Sequence, residues 1–446
     1  MKVLLIDPPQ KFLEGQGRTR QVQPLGLAYV GAAIEDRAEV RFLLPDTRVW
    51  RGDDPWRELA RAIEAEAPDV VGLTAVTATW RAAAATAAVV KRVNPEALVV
   101  LGGVHASTEP VSALMGAPAV DLVVAGEGEE TMREVLGALE GGRVRDPGSI
   151  AGLVWRDEAG QARRSAPRAS IGALDALPYP KRDGLVWADD IHPTFYQAMV
   201  TLRGCPYRCI YCAVPSSNDR QTRYRSATSV VDEIAHLRAR YDIPYLFFHD
   251  SVFTLNRART VEICTQIIER GLVVPFACQT RTDRVDPALL DLMKAAGCHQ
   301  IFFGIESGDY DSLIKIRKKT ALGAIVEAVG QVKARGIRCT GFFMVGFPWE
   351  TEALIEKTAD FACGLGLDAI SLFSATPLPG TELWEMTGGV HEATSIDFRA
   401  PEVNLTRMEA GAYRAVFERV EARIKAHNRE RMMARFEGEV RECWPG

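Results

Sequence analysis

The sequence predicts an α/β protein with two parallel-sheet domains in series. The first is an N-terminal doubly wound, Rossmann-like sheet over residues 1–140, and the second a partial (β/α)6 barrel of the TIM type over residues 196–385. A hairpin and linker at 141–195 separate them, and a helical C-terminal region follows at 386–446. Three observations carry this prediction. Short apolar runs alternate with helical stretches through the first 140 residues, and a second alternation of six such units starts at Gln197. The cysteine-dense stretch of the chain lies directly after the first strand of that second series. Strand–helix alternation implies right-handed crossovers and therefore parallel sheets.

The 446 residues are 47% hydrophobic and 25% charged, proportions that bury real cores and exclude disordered, collagen-like and mini-protein classes. Basic residues number 53 against 58 acidic, a net charge of −5, so no overall field draws the chain to nucleic acid or to an anionic membrane. No run approaches the ~18 apolar residues that span a bilayer. Val3–Ile6 stops at Asp7-Pro8-Pro9, too short for a signal-peptide core, so the expected location is the cytoplasm. Nine cysteines, with none before Cys205, do not make the pattern of a secreted disulfide framework.

In the front segment Val3–Ile6 reads as a buried strand, Leu25–Ile34 as a helix and Val40–Leu44 as a second strand. Asp69–Thr74 is the third strand, followed by an Ala-rich helix at Arg81–Val93; Ala97–Leu101 and Asp121–Ala125 are the fourth and fifth. Thr74–Thr79, Gly102-Gly103 and Gly126–Gly128 fall at the carboxyl ends of these strands, where ligands sit in such sheets. Glycine there either lets a backbone approach a large ligand or makes a tight turn, and the residues alone leave both open. No Gly-x-Gly-x-x-Gly follows a strand, and Gly126-Glu-Gly-Glu-Glu130 is acidic, so a dinucleotide pyrophosphate is disfavoured. Leu153–Arg164 reads as a hairpin turning at Ala159-Gly160, and Ala173–Asp183 as an extended, Pro-containing linker.

From Gln197, strands are expected at 198–202, 244–248, 275–280, 299–304, 337–343 and 368–373, with helices between them such as Ser229–Tyr241 and Asp286–Ala296. Asp232 and Glu233 fall in the first turn of the former, where acids favour the helix dipole. Active residues on such a sheet belong at the C-terminal ends of its strands. In the tail, Glu409–Glu437 carries Tyr413, Val416, Phe417, Val420 and Ile424 at helical spacing, as in a solvated helix with one face on the body. Arg317-Lys318-Lys319 reads as a solvated helix edge, and His105 as a surface contact in a turn, with contact to a ligand at the strand ends as its other reading.

Gly204-Cys205-Pro206-Tyr207-Arg208-Cys209-Ile210-Tyr211-Cys212 gives Cys-x3-Cys-x2-Cys at the end of a strand. Three thiolates can hold three corners of an iron–sulfur cube, which leaves one iron open to a substrate or cofactor. The alternative is a structural zinc site, which wants four closed ligands; His249 or Cys278 could supply the fourth only by coming close in space. Cysteines 264, 278, 298, 339, 363 and 443 are scattered, which argues against a second cluster.

The cysteine motif, with Tyr211 just before its last member, closely resembles that of the radical S-adenosylmethionine (SAM) enzymes. Phe248-His-Asp250-Ser-Val-Phe253-Thr254-Leu-Asn256, Gly304-Ile-Glu306-Ser307-Gly308 and Phe343-Met-Val-Gly346-Phe-Pro348 extend the resemblance in chain order. It implies a 4Fe-4S cluster on Cys205, Cys209 and Cys212, whose open iron chelates the amino and carboxylate groups of SAM. The reduced cluster then cleaves SAM to methionine and a 5′-deoxyadenosyl radical. It implies SAM contacts at Tyr211, Arg281, Glu306, Ser307 and Gly346, although Arg281 also reads simply as a charge paired inside the barrel.

The front domain resembles the cobalamin-binding domain of class B radical SAM methyltransferases through Asp7-Pro8-Pro9, Pro24-Leu-Gly-Leu-Ala-Tyr, Gly102-Gly-Val-His-Ala-Ser107 and Gly126-Glu-Gly-Glu-Glu. The linker Leu177-Pro-Tyr-Pro-Lys-Arg-Asp183 is similar to theirs as well. This implies cobalamin contacts at Thr74, Thr77, Gly102, Gly103, Val104, Gly126, Glu127 and Gly128. The Asp-x-His-x-x-Gly motif that ligates cobalt is absent, as in the subgroup whose lower cobalt face has no His. A second cysteine triad, which the methylthiolating relatives need, is absent from the front domain. The implied activity is C-methylation of an unactivated carbon of a small-molecule substrate, by a deoxyadenosyl radical and methylcobalamin. A rearrangement, cyclisation or oxidation without methyl transfer is the alternative, and from another class a non-catalytic iron–sulfur or zinc protein. The partners implied are the small molecule and an external one-electron reductant of flavodoxin or ferredoxin type. Nucleic acid is not expected, with an acidic total and no RNA-binding module.

Overall fold

Hydrophobic residues of the first strands divide between two cores, and this sets the architecture of the front domain. In the computed structural model, which describes residues 1–9, 22–45, 55–188, 191–214, 221–389 and 399–443, Leu4 and Ile6 belong to one buried cluster and Val3 and Leu5 to another. Successive strand residues point to opposite faces, so a sheet apolar on both must be covered on both. Strands β1 (Lys2–Ile6), β2 (Glu39–Leu43), β3 (Val70–Thr74), β4 (Leu98–Gly102) and β5 (Leu122–Val124) are parallel. Helices α1 (Leu25–Ile34), α2 (Pro55–Glu66), α3 (Trp80–Val93), α4 (Val104–Thr108), α5 (Pro110–Gly116) and α6 (Gly128–Gly137) lie between and after them. The order β2-β1-β3-β4-β5 reverses direction at β1/β3, the topological switch point at which open sheets bind ligands.

A short ladder follows, β6 (Leu139–Glu140) with β7 (Arg143–Val144). The hairpin β8 (Leu153–Arg156) and β9 (Ala162–Arg164) then adds two antiparallel strands to the front sheet beside β5. Expected as part of the segment between domains, it belongs by hydrogen bonding to the first. The linker covers the opposite edge: Phe42 N–H donates to Gly184 O and Val186 N–H to Phe42 O, both at 2.9 Å. Its Arg182 is buried and reaches Ala198 O (2.7 Å) and Glu233 (3.2 Å) in the second domain.

The second domain is an open sheet of six parallel strands in sequential order: β10 (Ala198–Met199), β13 (Leu246–Phe248), β14 (Phe276–Thr280), β15 (Cys298–Glu306), β16 (Arg338–Val345) and β17 (Ala369–Ser374). The antiparallel pair β11 (Leu202–Arg203) and β12 (Arg223–Tyr224) stands apart from it. Helices α7 (Ala227–Tyr241), α8 (Arg257–Glu269), α9 (Pro287–Ala295), α10 (Tyr310–Lys315), α11 (Leu322–Lys333) and α12 (Glu352–Gly364) form the crossovers. Ser226, Asn256, Asp286 and Asp309 cap four of these helices through their side chains. The cap of α7 is thus Ser226, and Glu233 does not serve its dipole but turns inward to Arg225 and Arg182.

After α13 (Glu382–Met386), the long α14 (Ala410–Cys443) packs Tyr413, Val416, Phe417, Val420 and Ile424 into the barrel core. Its Asn428 amide bonds both N–H and C=O of Ile370 at 2.8 Å, so a side chain stands in for a seventh strand at the β17 edge. Among the described residues, no helix is long and apolar enough to cross a membrane.

Candidate functional site

The cysteine loop leaves β11 through Gly204, whose φ of +87° no other residue adopts cheaply. A Cβ there would lie 2.0 Å from Gln221 O, so the chain just before β12 and the loop touch backbone to backbone. Cys205 is buried, Cys209 and Cys212 are half-buried, and all three thiols are free. Burial pushes the Cys212 thiol up to about 11; the Val214 N–H opposes this, and charge on Cys209 and Cys205 adds to it. The Tyr207 N–H points at the sulfur of Cys205, and Lys318 and Arg281 act on the same thiol as positive neighbours. Three mutually repelling thiols among cations and N–H donors form a donor set made for a cationic centre. Among the described residues no three Cys, His, Asp or Glu side chains are grouped tightly enough for a single metal ion. Cys209 acts on both Cys205 and Cys212, so the three thiols of this one loop are candidate holders of an iron–sulfur cube. Cys278, the possible fourth zinc ligand, is instead fully buried in the helix-facing core beside Cys298 and Cys264.

Above β15 the chain turns at Glu306 with φ +73°, a left-handed conformation that a non-glycine residue keeps only under constraint. The constraint is visible. Lys318 Nζ donates to Glu306 Oε1 at 3.0 Å, both side chains are buried, and the Tyr211 hydroxyl bonds the same carboxylate. Lys318 is therefore no solvated helix edge: Arg317 and Lys319 on either side have φ of +59° and +55°, and the backbone turns its charge inward. Arg281 is buried and paired with Asp283 at 2.8 and 2.9 Å, donates to Lys318 O, and lies 4.0 Å over the Tyr207 ring. Its Nη1 is buried without an acceptor. Arg281 is thus a charge paired inside the barrel that keeps one donor without an acceptor near the cysteines.

Gly346 lies after β16, at φ +97°, against the Tyr413 hydroxyl, and its N–H donates to Glu350 at 2.6 Å. The next residue, Phe347, lies 6.2 Å from the Tyr211 ring. Ser307 faces away: its hydroxyl contacts Thr358 at 3.3 Å and accepts from Asp309 N–H.

In the front domain a cavity of about 290 Å³ opens at the switch point, over the ends of β1, β3, β4 and β5. Thr74, Gly102, Gly103, Gly126, Glu127 and Gly128 line it, with Leu5, Tyr29, Leu73 and Met132 supplying an apolar wall. Thr77 and Val104 are not among its lining residues; Thr77 bonds His105 instead, at 3.3 Å. His105 is buried, stacked on Trp80 at 5.0 Å, and held by burial down at about 4, so it is no surface contact. A Cβ on Gly102 would meet nothing nearer than Leu73 O at 4.0 Å, and one on Gly126 nothing at all. Room is kept there that the protein's own packing does not need, as a large ligand requires.

The second domain closes this cavity with Val200 and Arg203. Arg203 pairs with Glu127 (3.0 Å) and Glu129 (2.6 Å) and lies 5.0 Å over the Tyr29 ring, while Arg223 holds Glu127 at 2.8 Å. The acidity of Gly126–Glu130 is thus answered by arginines 74 to 96 positions away. Sequence reading missed Arg203, Arg223 and Lys318; their one signal was a charge beside an apolar strand or turn, which many surface residues share.

Comparison with known proteins fits both halves. The family model "Radical SAM superfamily" matches residues 199–362, and "B12 binding domain" matches 18–136. An uncharacterized methyltransferase, PH0819, of Pyrococcus horikoshii is 33% identical over 389 residues, which is 86% of this chain and 83% of that protein. The cytidylyl-2-hydroxyethylphosphonate methyltransferase of Streptomyces wedmorensis is 28% identical over 459 residues, 91% of this chain and 84% of that one. In fold, the chain is similar to the radical SAM methyltransferase TsrM of Kitasatospora setae, solved with cobalamin and a [4Fe-4S] cluster: TM-score 0.73 and 22% identity over 93% of this chain and 81% of that one.

Proposed function

This chain belongs to the radical SAM superfamily, with a B12-binding domain ahead of its barrel, and from that premise we propose that it is a cobalamin-dependent methyltransferase acting on a carbon of a small-molecule substrate. One observation carries the reading. Arg203, from the second domain, lines the front cavity, and the three-thiol loop begins two positions on at Cys205, which supports a single space shared by the two sites.

Bound there, a 4Fe-4S cluster with SAM supplies a hydrogen-abstracting radical, and cobalamin supplies the methyl donor. Cys205, Cys209 and Cys212 hold the cluster, with Lys318 and Arg281 offsetting the negative charge of the thiolates. The open Nη1 of Arg281 is the donor for a carboxylate or ribose hydroxyl of SAM. Tyr211, Phe347 and the Gly346 turn form the wall for its adenine, and the Lys318–Glu306 pair fixes the floor beside them. Ser307 supports that turn through Thr358 rather than touching the ligand. Gly102 and Gly126 leave backbone open to the corrin and Gly103 and Gly128 line the same cavity, while Leu5, Leu73 and Met132 receive the apolar part of its tail. Enclosure between two domains keeps out water and stray hydrogen donors, which radical chemistry demands. An external one-electron donor of flavodoxin or ferredoxin type completes the system.

The test is anaerobic reconstitution followed by dithionite and methyl-labelled SAM. The reading requires 5′-deoxyadenosine together with label on the bound cobalamin. Absence of 5′-deoxyadenosine overturns it, and 5′-deoxyadenosine without labelled cobalamin replaces methyl transfer by a radical reaction that transfers none.

A further inference from the structure

Strand residues of the barrel domain alternate between two faces. Phe248, Phe303, Phe343 and Leu372 face the helices and belong to the hydrophobic core. Their chain neighbours Phe247, Phe302, Phe342 and Phe373 point the other way, are only half-buried, and pack against no core cluster among the described residues. The four rings form a row across the sheet. Ring centres are 5.4 Å apart for Phe247–Phe302, 5.6 Å for Phe302–Phe342 and 5.9 Å for Phe342–Phe373. Strand β14 lies between the first two and carries Ala277 in register with Phe247, small enough for the rings to meet across it, with the Gln279 amide in register with Phe302 as a polar neighbour on that face.

The row is continuous with the site described above. Gly304 follows Phe302 by two residues on the same face, and a Cβ on it would lie 2.6 Å from Glu306 Oε1 and 2.9 Å from Lys318 Nζ. Towards the other end of β15, Gln300 donates to Thr340 Oγ1 at 3.0 Å and ends the apolar stretch with a polar layer. His249, 4.3 Å from Phe247, sets a hydrogen-bonding group at the β13 end. Half-exposed aromatic surface costs about 25 cal/mol per Å² until something apolar covers it. Rings fixed in orientation favour rigid partners, which lose little freedom on binding.

We propose that Phe247, Phe302, Phe342 and Phe373 are the floor of the substrate site, and that the substrate is a neutral, mainly hydrocarbon molecule with a rigid ring system. Its position beneath SAM rests on the function proposed above; the floor itself rests on the rings.

Equilibrium dialysis of phenanthrene against cofactor-loaded enzyme tests the proposal, with the front cavity then filled by cobalamin. One saturable site is expected, weakened about tenfold or more by Phe302→Asn and by Phe342→Thr, and largely kept in Phe302→Leu. Iron and cobalt per chain, measured in each variant, show that it has folded and loaded. No saturable binding, or equal binding in wild type and the two polar variants, overturns the proposal. Parallel assay of 5′-deoxyadenosine separates the two readings: its formation without phenanthrene binding removes the aromatic floor alone, and phenanthrene binding without it removes the radical reading alone.

Discussion

Asp250 and Thr201 are joined at two points: the Thr201 N–H donates to Asp250 Oδ1 at 2.7 Å and its hydroxyl to Oδ2. Leu202 N–H adds a third bond at 3.1 Å, and Arg259 holds Thr201 O at 2.8 Å from the other side. Asp250, at the end of β13, therefore fixes the segment that enters the cysteine loop three residues later. Asp250→Asn replaces one acceptor oxygen by a donor and leaves a buried hydroxyl or N–H without a partner. With charged hydrogen bonds worth about 1.5–3 kcal/mol, iron retention after gel filtration should fall about ten- to a hundredfold in affinity terms. Unchanged far-ultraviolet circular dichroism with lost visible absorption is the expected signature; full iron content would remove Asp250 as the anchor.

Arg203 offers a second test, because one side chain pins two carboxylates and an aromatic ring across the domain boundary. Arg203→Met leaves Glu129 buried without its cation, a change that costs about 3–5 kcal/mol when a buried pair is broken on one side. The expected result is weaker cobalamin binding and faster proteolysis within 141–195. Adding Glu129→Gln should recover much of the loss, since no unpaired charge is then buried. A double variant as weak as the sum of the two singles would show that the pair is not what joins the domains.

These two cases mark what could be read from the chain and what could not. Runs such as Val70–Thr74 and Leu25–Ile34 are apolar over the length of the element itself, so their place and type are written locally. The cysteine loop is local too, its three thiols falling within eight residues. Lys318 is different: its burial depends on Glu306, which the register shift at the end of β15 and the left-handed residues Arg317 and Lys319 bring to it. Nothing in Arg317-Lys318-Lys319 distinguishes that from a wet helix edge. Glu127 likewise reads only as a ligand contact in an acidic turn until Arg223, on a strand 96 positions later, is folded against it. Local patterns set the elements, whereas charges in this site are set by contacts between elements.

Glu350 should make stability fall as the pH rises. Its carboxylate is buried, accepts from the N–H groups of Gly346 and Phe347, faces Asp309 and Tyr413, and is pushed by burial from 4.5 up to about 7. Between those values the folded chain binds more protons than the unfolded one, so stability present below pH 4.5 is lost as the pH climbs to 7, by roughly 3 kcal/mol. Glu350→Gln keeps an acceptor for both N–H groups and removes the titration. In urea melts the variant should gain on wild type at pH 8 and not at pH 4.5; equal gaps at both would rule the buried acid out.

His105 should act in the opposite sense. Burial lowers it from 6.5 to about 4, so the folded chain binds fewer protons in that window, and stability is lost as the pH falls through it. His105→Phe keeps the stack on Trp80 and cannot take up a proton. Its front domain should resist acid about one to two pH units further than wild type, followed by Trp fluorescence. An unshifted acid transition would place the sensitive group elsewhere.

Gly102 allows the ligand to be separated from the fold. The residue ends β4, its φ lies outside the left-handed region, and a Cβ built on it meets only Leu73 O at 4.0 Å. Valine is a favoured strand residue, so Gly102→Val should leave the front sheet as stable as before or slightly firmer. Gly102 lines the cavity of about 290 Å³ at the switch point, so the added methyls are expected to narrow it. Cobalt affinity after reconstitution should therefore drop about five- to a hundredfold, for overpacking a filled site costs about 1–3 kcal/mol. Iron per chain should not change, because Cys205, Cys209 and Cys212 lie in the other domain. A variant that loads cobalt normally would show that the corrin does not use this cavity, whatever the three cysteines hold.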